Sequence, residues 1–222
     1  MKVATWNIER LKHHNSLDQI TQCCENVGAD VLVLAETDKR VCPAYKFCLE
    51  TLPLPEGQPP YYKATERRVS IFTNYPVVRQ HTTFDAQTAL CVELETELGN
   101  LLVYGTIIGT YGNRHPTFMQ DLSRQLEDFR RLTSQHESLC VCGDFNCSFA
   151  DNYYYTKSGR AAILQSLKDN RLCLLTEGRA ECIDHIALSD KLALGATVEI
   201  EEWNSDKSLS DHKGIAVKLL PQ

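Results

Sequence analysis

A continuous apolar run, ADVLVLA at residues 29–35, is the feature of this sequence that most restricts the fold. A strand that is apolar at every position has both faces buried, so other elements must cover its sheet on each side. Similar short apolar runs recur at residues 3–6, 69–73, 88–94, 101–108, 139–143, 172–175, 182–188, 195–200 and 213–219. The sequence therefore predicts a fold built largely from short buried strands.

Helical patterns lie between these strands. Apolar residues at helical spacing follow Ser16, which can cap a helix, and the pattern stops at Gly28. One apolar stripe predicts a long helix over residues 117–134, and shorter helices are expected near 159–168 and over 41–52.

Turn residues indicate how several strands connect. The runs at 69–73, 88–94 and 101–108 are predicted to form a sheet meander, with turns at 74–76 and 99–100. No repeat or linker divides the chain. Two mixed sheets covered by helices, in a single domain, is the economical architecture for these elements.

Composition and charge exclude several classes of protein. A chain of 222 residues that is 43% apolar is neither a disordered tail nor a fibre. The net charge of −6 argues against strong attraction of the whole molecule to nucleic acid or an anionic membrane, although a local cationic cleft is still allowed. No apolar run approaches the roughly 18 residues of a membrane span.

The ten cysteines are expected to be reduced. The first ten residues, MKVATWNIER, lack the apolar core of a signal peptide, so we expect a cytoplasmic protein with free thiols. A CxC pair at Cys140 and Cys142 is by itself a weak zinc signal. Cysteines within apolar runs are expected to be buried small hydrophobic residues, namely Cys91, Cys140, Cys142, Cys173 and Cys182.

Polar residues interrupt the apolar runs at strand ends. A single aspartate there is usually a cap or turn residue. Strand ends meet at one edge of a sheet, however, so several such side chains can converge on one cleft. The residues in question are Asn7, Glu36, Asp144, Asn146, Asp184, His185, Asp211 and His212.

This set of residue types suits phosphoester chemistry. Carboxylate and amide oxygens are good ligands for a hard divalent cation such as Mg²⁺. A histidine beside carboxylates can carry positive charge toward a phosphoryl oxygen. A Gly-rich phosphate loop, a GxSxG elbow and an HExxH helix are all missing from the sequence, which excludes the common nucleotide-triphosphatase, serine-hydrolase and zinc-protease patterns.

Five short motifs occur in a fixed order: TWNI at 5–8, LAET at 34–37, GDFN at 143–146, IDHI at 183–186 and SDHKGI at 210–215. Together they resemble the endonuclease/exonuclease/phosphatase superfamily, which has a deoxyribonuclease I-like fold. The resemblance implies a four-layer α/β sandwich, with two mixed β-sheets packed face to face and helices outside. It also implies a metal-dependent phosphoesterase that uses Mg²⁺ or Mn²⁺, with residues 1–222 forming one catalytic domain.

The resemblance also implies a metal site. Asn7 and Glu36 match metal-site residues of the superfamily, and Glu36 matches the principal ligand. Asp211, in the SDH motif, is expected near the same ion.

Catalytic roles are implied in the same way. Asp144 matches the residue that activates or orients the attacking water, and Asn146 beside it is expected to contact phosphate. Asp184 matches the acid that orients His212, which faces the scissile phosphate. A carboxylate on one imidazole nitrogen fixes the tautomer and raises the pKa of the ring, so we expect His212 to be charged.

Substrate contacts are less well defined by the sequence. The superfamily usually carries a functional His or Tyr where this chain has Thr106 and Ile107, so that role is absent or taken by Tyr104, Tyr111 or Asn113. Candidate substrate-binding residues are Tyr111, Asn113, Arg114, Tyr154 and Arg160. His185 is expected to be packed and hydrogen-bonded in its strand, or else to support the site from behind.

Three functions remain open. The first is a phosphodiesterase with nuclease-like activity, acting on single-stranded or short nucleic acid because the acidic chain lacks the basic stripe that long duplex requires. The second is a phosphatase or phosphodiesterase on a small or lipid-derived phosphate, for which the loop at 53–62 offers only a modest apolar surface. The third, a non-catalytic binding module, is disfavoured because so many polar groups would be costly to bury without a metal. A monomer is the default expectation.

Overall fold

The computed structural model describes residues 1–55 and 61–221, so part of the predicted 53–62 loop lies outside the described residues. Within these ranges the strands are β1 (Lys2–Asn7), β2 (Val31–Asp38), β3 (Phe47–Glu50), β4 (Glu66–Thr73), β5 (Val77–His81), β6 (Ala89–Thr96), β7 (Gly99–Ile107), β8 (Leu139–Asp144), β9 (Leu172–Leu174), β10 (Asp184–Ser189), β11 (Ala196–Trp203) and β12 (Gly214–Pro221). The helices are α1 (Leu17–Asn26), α2 (Phe118–Gln135), α3 (Lys157–Asp169) and α4 (Asp190–Ala193).

The strands form two six-stranded sheets. The first sheet has the order β11-β12-β1-β2-β4-β3, and the second has the order β5-β6-β7-β8-β10-β9. Each sheet contains a parallel pair, β1 with β2 and β7 with β8, and each pair is joined by a connection that carries a helix. The other pairs are antiparallel, so both sheets are mixed. This arrangement confirms the predicted α/β sandwich with two mixed sheets.

The continuous apolar run explains why β2 lies inside the first sheet. Val31, Val33 and Ala35 point into the apolar layer between the two sheets. Leu32 and Leu34 point the other way and pack in the layer that includes α1. Both faces of β2 are thus buried, as the sequence predicts.

The predicted apolar stripe of α2 covers the outer face of the second sheet. Phe129 is fully buried and meets Tyr104 of β7 edge to face, with the ring centroids 5.2 Å apart. The Tyr104 hydroxyl donates a hydrogen bond to Asp128 Oδ2 at 2.9 Å. Tyr104 is therefore a packing residue, and its polar end is satisfied by the helix.

The predicted helix over residues 41–52 is wrong. Residues 47–50 form β3 instead, which pairs with β4 in the register Phe47↔Thr73 to Glu50↔Ser70. Pro43 disfavours a helix that runs through it, and the open edge of β4 supplies backbone hydrogen bonds that a local pattern does not reveal.

The predicted meander is only partly correct. β6 and β7 pair as a hairpin, although its turn lies at Glu97 and Leu98, two residues before the predicted turn at 99–100. β4 belongs to the first sheet, so the turn at 74–76 carries the chain across to the second sheet. There the exposed, partly polar strand β5, which apolar patterning could not detect, forms the sheet edge.

The cysteines behave mainly as small hydrophobic residues. Cys91, Cys140, Cys142 and Cys182 are buried, as predicted, whereas Cys173 is only half-buried, and all ten cysteines are free. Among the residues described, there is no helix with the length and apolar character needed to cross a bilayer.

The two sheets pack so closely at Gly105 that adding one methyl group there tests the packing. A Cβ on Gly105 would lie 2.7 Å from Val69 Cγ1 and 2.9 Å from Val33 Cγ1. We expect Gly105→Ala to lower the free energy of unfolding by about 1–3 kcal/mol, because an overfilled core must shift its neighbours. Urea unfolding measures this change.

Gly178→Ala is the matched control, since no heavy atom lies within 4 Å of its added Cβ. That variant should stay within about 0.5 kcal/mol of the parent protein. Equal stability of the two variants would contradict the tight packing of the sheets.

Candidate active site

Four strand ends from the two sheets meet at one edge of the sandwich. Asn7 ends β1, and Asp144 ends β8 in the other sheet. The two side chains are joined directly, since Asn7 Nδ2 donates to Asp144 Oδ2 at 3.1 Å. Asp184 begins β10 opposite Asp144, and His212 directly precedes β12.

Asp184 and His212 form a short, largely buried pair. The Nδ1–H of His212 donates to Asp184 Oδ2 at 2.5 Å. Burial opposes a charged imidazole, but the facing Asp184 carboxylate outweighs it and raises the pKa of His212 to about 10. The ring is therefore imidazolium at neutral pH, which makes it a source of positive charge and a hydrogen-bond donor through Nε2.

Asp144 sits in the most buried part of the site. Asn146 donates its backbone N–H to Asp144 Oδ1 at 2.7 Å. Burial raises the pKa of Asp144 to about 7. The positive charge of His212 opposes this shift, and the negative charge of Asp184 adds to it. A carboxyl group with a pKa near neutrality can accept and release a proton under ordinary conditions.

Glu36 approaches from the first sheet beside an arginine that the sequence did not single out. Glu36 has φ of +45°, and burial raises the pKa of its carboxyl group. Arg68 opposes that shift, with its Nη1 at 3.9 Å from Glu36 Oε1. Arg68 also donates to the Tyr62 hydroxyl, and the guanidinium groups of Arg68 and Arg10 both contact the Tyr62 ring, 4.7 and 4.6 Å from its centroid. Arg67 and Arg68, which directly precede the apolar run 69–73, were the sequence signal for a cation at this position.

The structure explains why the first residue of the GDFN motif is glycine. A Cβ on Gly143 would lie 2.0 Å from the Thr106 carbonyl oxygen, and Gly143 has φ of +138°. Only glycine lets β8 pass this close to β7 just before Asp144.

Asn146 and Asn113 join the loops around Asp144. Asn146 Nδ2 donates to the carbonyl oxygens of Ile108 and Gly109, at 3.0 and 3.3 Å. Asn113 Nδ2 in turn donates to the Asn146 carbonyl at 2.8 Å. Asn113, one of the predicted substrate contacts, therefore lies beside Asn146.

Asp211 lies on the exposed side of the site. Its Oδ1 is 3.5 Å from His212 Nε2. Its backbone N–H donates to Glu9 Oε2 at 2.9 Å, so Glu9, which the sequence did not single out, adds a further carboxylate. Partial burial raises the pKa of Asp211, His212 opposes the shift, and Glu9 reinforces it.

The other predicted substrate contacts lie in loops, except for Arg160, which is near the start of α3. Tyr111 is exposed and its ring is 5.0 Å from His115, while Arg114 is also exposed. The Tyr154 hydroxyl lies against Gly112. Arg160 stacks on Tyr155, 3.7 Å from the ring centroid, and donates to the Asp151 carbonyl, so its guanidinium is held by its own segment.

His185 is packed and hydrogen-bonded, as expected from the sequence. Its Nδ1 lies 2.9 Å from the Thr176 hydroxyl, and its Nε2 lies 3.0 Å from the Cys147 carbonyl. Burial lowers the pKa of His185 to about 4, so the ring is neutral.

The donor groups of the site fit a hard divalent cation. Carboxylate oxygens of Asp144 and Asp184 and a ring nitrogen of His212 lie within 4.8 Å of one another. His212 is a poor ligand because it is protonated, but Asp184 Oδ1 is buried with no hydrogen-bond partner among the described residues. Oxygen donors from Glu36 and Asn7 adjoin this group, and such a set suits Mg²⁺ or Mn²⁺.

Comparison with known proteins identifies the family. Residues 4–212 match the Endonuclease/Exonuclease/phosphatase family. The chain belongs to this family. Its members hydrolyse phosphoester bonds, so the chain is a phosphoester hydrolase.

Solved structures share the fold along the whole chain. The 3′ phosphatase NExo from Neisseria bound to product DNA hairpin is 19% identical, with a TM-score of 0.73 and 99% of each chain covered. The 3′-5′ exonuclease NExo from Neisseria meningitidis is 20% identical, with a TM-score of 0.74 and coverage of 99% of this chain and 100% of that chain. An AP endonuclease from Archaeoglobus fulgidus is 12% identical, with a TM-score of 0.71 and 99% of each chain covered. A search of curated protein sequences found no match.

The charge on His212 depends on Asp184, and this dependence can be measured. We expect Asp184→Asn to lower the pKa of His212 from about 10 toward 6.5, because the neighbouring negative charge is removed. NMR titration of the metal-free protein follows the imidazole directly.

Asp211→Asn is the control, since this carboxylate is exposed and farther from the ring, and it should shift the pKa of His212 far less. An imidazole that titrates near 6.5 in the parent protein would rule out the charged pair.

The neutral state of His185 makes the fold sensitive to acid. In the unfolded chain His185 takes up a proton near pH 6.5, whereas in the fold it does so near pH 4, so its contribution to stability is lost as the pH falls through that window. We expect the parent protein to lose about 1–2 kcal/mol more than His185→Gln between pH 7 and pH 5. Urea unfolding at both values tests this, and parallel losses in the two proteins would contradict it.

Proposed function

We propose that this chain is a divalent-metal-dependent phosphodiesterase with nuclease-like activity, which hydrolyses single-stranded or short nucleic acid by water attack on phosphorus. The observation that carries the proposal is the constellation in which the His212–Asp184 pair faces Asp144, with Glu36 beside them. A proton acceptor and a fixed positive charge around one space are what phosphoryl transfer to water requires.

In this proposal the metal is held on the side of the first sheet. Glu36 is the principal ligand, and Asn7 and Asp211 complete the set. When bound, the ion neutralises charge on the phosphate and polarises its oxygens. Burial raises the pKa of Glu36, and Arg68, 3.9 Å away, opposes that shift and so favours the carboxylate form.

The second sheet supplies the proton chemistry. Asp144 accepts the proton of the attacking water, which its pKa of about 7 allows near neutral pH. Asn146 holds the loop beside Asp144 through its backbone N–H and its side-chain amide, and in this proposal it contacts the phosphate. His212 is kept charged and oriented by Asp184, and stabilises the developing negative charge on the phosphoryl oxygens.

Nucleic acid is favoured as the substrate by the structural neighbours. Their names include a 3′ phosphatase bound to product DNA hairpin, a 3′-5′ exonuclease and an AP endonuclease. The net charge of −6 disfavours tight binding of long duplex, so a single strand or a short piece is the better substrate. Tyr111, Asn113, Arg114, Tyr154 and Arg160 remain candidate substrate contacts.

We further propose that residues 1–222 form one catalytic domain that acts as a monomer in the cytoplasm. The ten free cysteines support a reducing compartment.

The test is a turnover panel with Mg²⁺ or Mn²⁺. Single-stranded DNA, duplex DNA, RNA, a nonspecific phosphodiester and inositol phosphates are compared with the parent protein, Glu36→Gln and Asp144→Asn. We expect metal-dependent cleavage of single strands and the diester, and a loss of about 1,000-fold in kcat in each variant, since each removes a group needed in the transition state.

Glu127→Gln is the matched control, because Glu127 is an exposed residue of α2 that pairs with Arg130. It should retain normal turnover, and thermal unfolding checks that all variants are folded. Cleavage confined to phosphomonoesters would overturn the phosphodiesterase proposal and favour the phosphatase alternative.

A further inference from the structure

A cavity of about 230 Å³ adjoins the candidate active site. We call it the Arg68–Arg124 pocket, and the residues of its wall that matter here are Tyr62, Arg68, Thr88, Thr110, Tyr111 and Arg124. Of these, only Tyr111 was a candidate from the sequence.

Two walls of the pocket are continuous with the site. Arg68 lines the pocket and is 3.9 Å from Glu36. Thr110 and Tyr111 directly follow Gly109, whose carbonyl accepts a hydrogen bond from Asn146. A group attached to a phosphate at the site therefore has a recess beside it.

The pocket is already formed by hydrogen bonds within its own wall. Asp85 accepts hydrogen bonds from the Gln87 backbone N–H at 2.9 Å and the Thr88 hydroxyl at 2.6 Å. The Phe84 N–H donates to Asp128 on α2 at 2.7 Å, which fixes this loop against the helix. This part of the wall is thus held in place by its own hydrogen bonds, which lowers the cost of ordering it around a ligand.

The chemistry of the wall selects among occupants. Arginine, aspartate, glutamine and threonine side chains would be left without partners against an acyl chain, which argues against a lipid tail. Asp85 and Asp121 lie in the wall together with Arg68 and Arg124, so the wall is not a purely cationic site for a second phosphate. Mixed donors and acceptors with an exposed aromatic ring, Tyr111, match a nucleobase and its sugar.

Arg124 is the part of this wall most free to meet a ligand. It is exposed on α2 and has no ion pair with any residue in the ranges 1–55 and 61–221. A guanidinium group can stack on a base or donate hydrogen bonds to its edge. The cavity is smaller than the roughly 300–1,000 Å³ of a drug-sized ligand site, which limits it to one nucleoside.

We propose that the Arg68–Arg124 pocket binds the nucleoside next to the scissile phosphate, with Arg124 and Tyr111 as the contacts to its base. This proposal rests on the proposed phosphodiesterase reaction. It adds that one nucleoside of the substrate binds on the Glu36 side of the site.

Binding of two non-hydrolysable ligands tests the pocket without turnover. The 5′-methylenephosphonate of 5′-deoxythymidine and ethylphosphonate both carry a C–P bond that cannot be hydrolysed, have the same charge and differ only by the nucleoside. Calorimetry in Mg²⁺ buffer measures both. We expect the thymidine compound to bind the parent protein about tenfold more tightly, and Arg124→Gln to remove most of that difference. Arg130→Gln, an exposed arginine of the same helix that pairs with Glu127 away from the pocket, should keep it.

Kinetics then separate this inference from the proposed function. The thymidine 5′-(p-nitrophenyl) phosphodiester is compared with bis(p-nitrophenyl) phosphate, and Arg124→Gln should lower the ratio of their kcat/KM values about tenfold. If neither diester is hydrolysed but the difference in binding remains, the proposed phosphodiesterase activity is wrong and the proposed nucleoside pocket stands. Equal binding of the two phosphonates, or an equal effect of Arg124→Gln and Arg130→Gln, would overturn the pocket.

Discussion

The apolar layer between the two sheets determines whether this protein has an active site. Val33 and Val69 from the first sheet pack there against Val92 and Val103 from the second. Because the sheets are held face to face, strand ends that belong to separate hydrogen-bonded ladders come within contact distance of one another. Burial of apolar surface, which has no directional preference, thus determines which polar side chains meet at the edge of the sandwich.

The second constraint is electrostatic. Carboxylates at Glu36, Asp144 and Asp184 lie in a partly dry cleft, where each would be unfavourable alone. Arg68 and His212 supply opposite charge from two directions, and the remaining negative charge is of the sign that a divalent cation would neutralise. The acidic balance of the whole chain therefore says little about the potential at the scissile phosphate.

The sequence predicted most of the fold and the centre of the site, because both depend on local signals. Apolar runs marked the buried strands, and Asp184 and His212 could be paired through their motifs. Arg68 and Tyr62 were missed because they reach Glu36 only through the pairing of β2 with β4, which no local pattern specifies. The helix over 41–52 was wrong for the same reason, since the chain there is recruited by the edge of β4. The exposed strand β5 has too little apolar pattern to be recognised from sequence.

The link from Asn7 to Asp144 has a consequence for how the enzyme is made. Asn7 lies on the first strand of the chain, and β1 pairs with β12, the last strand. His212 is carried just ahead of β12, so it reaches Asp184 only after the chain has been synthesised through this strand. A nascent molecule that lacks this segment therefore holds Asp144 and Asp184 without the imidazolium of His212.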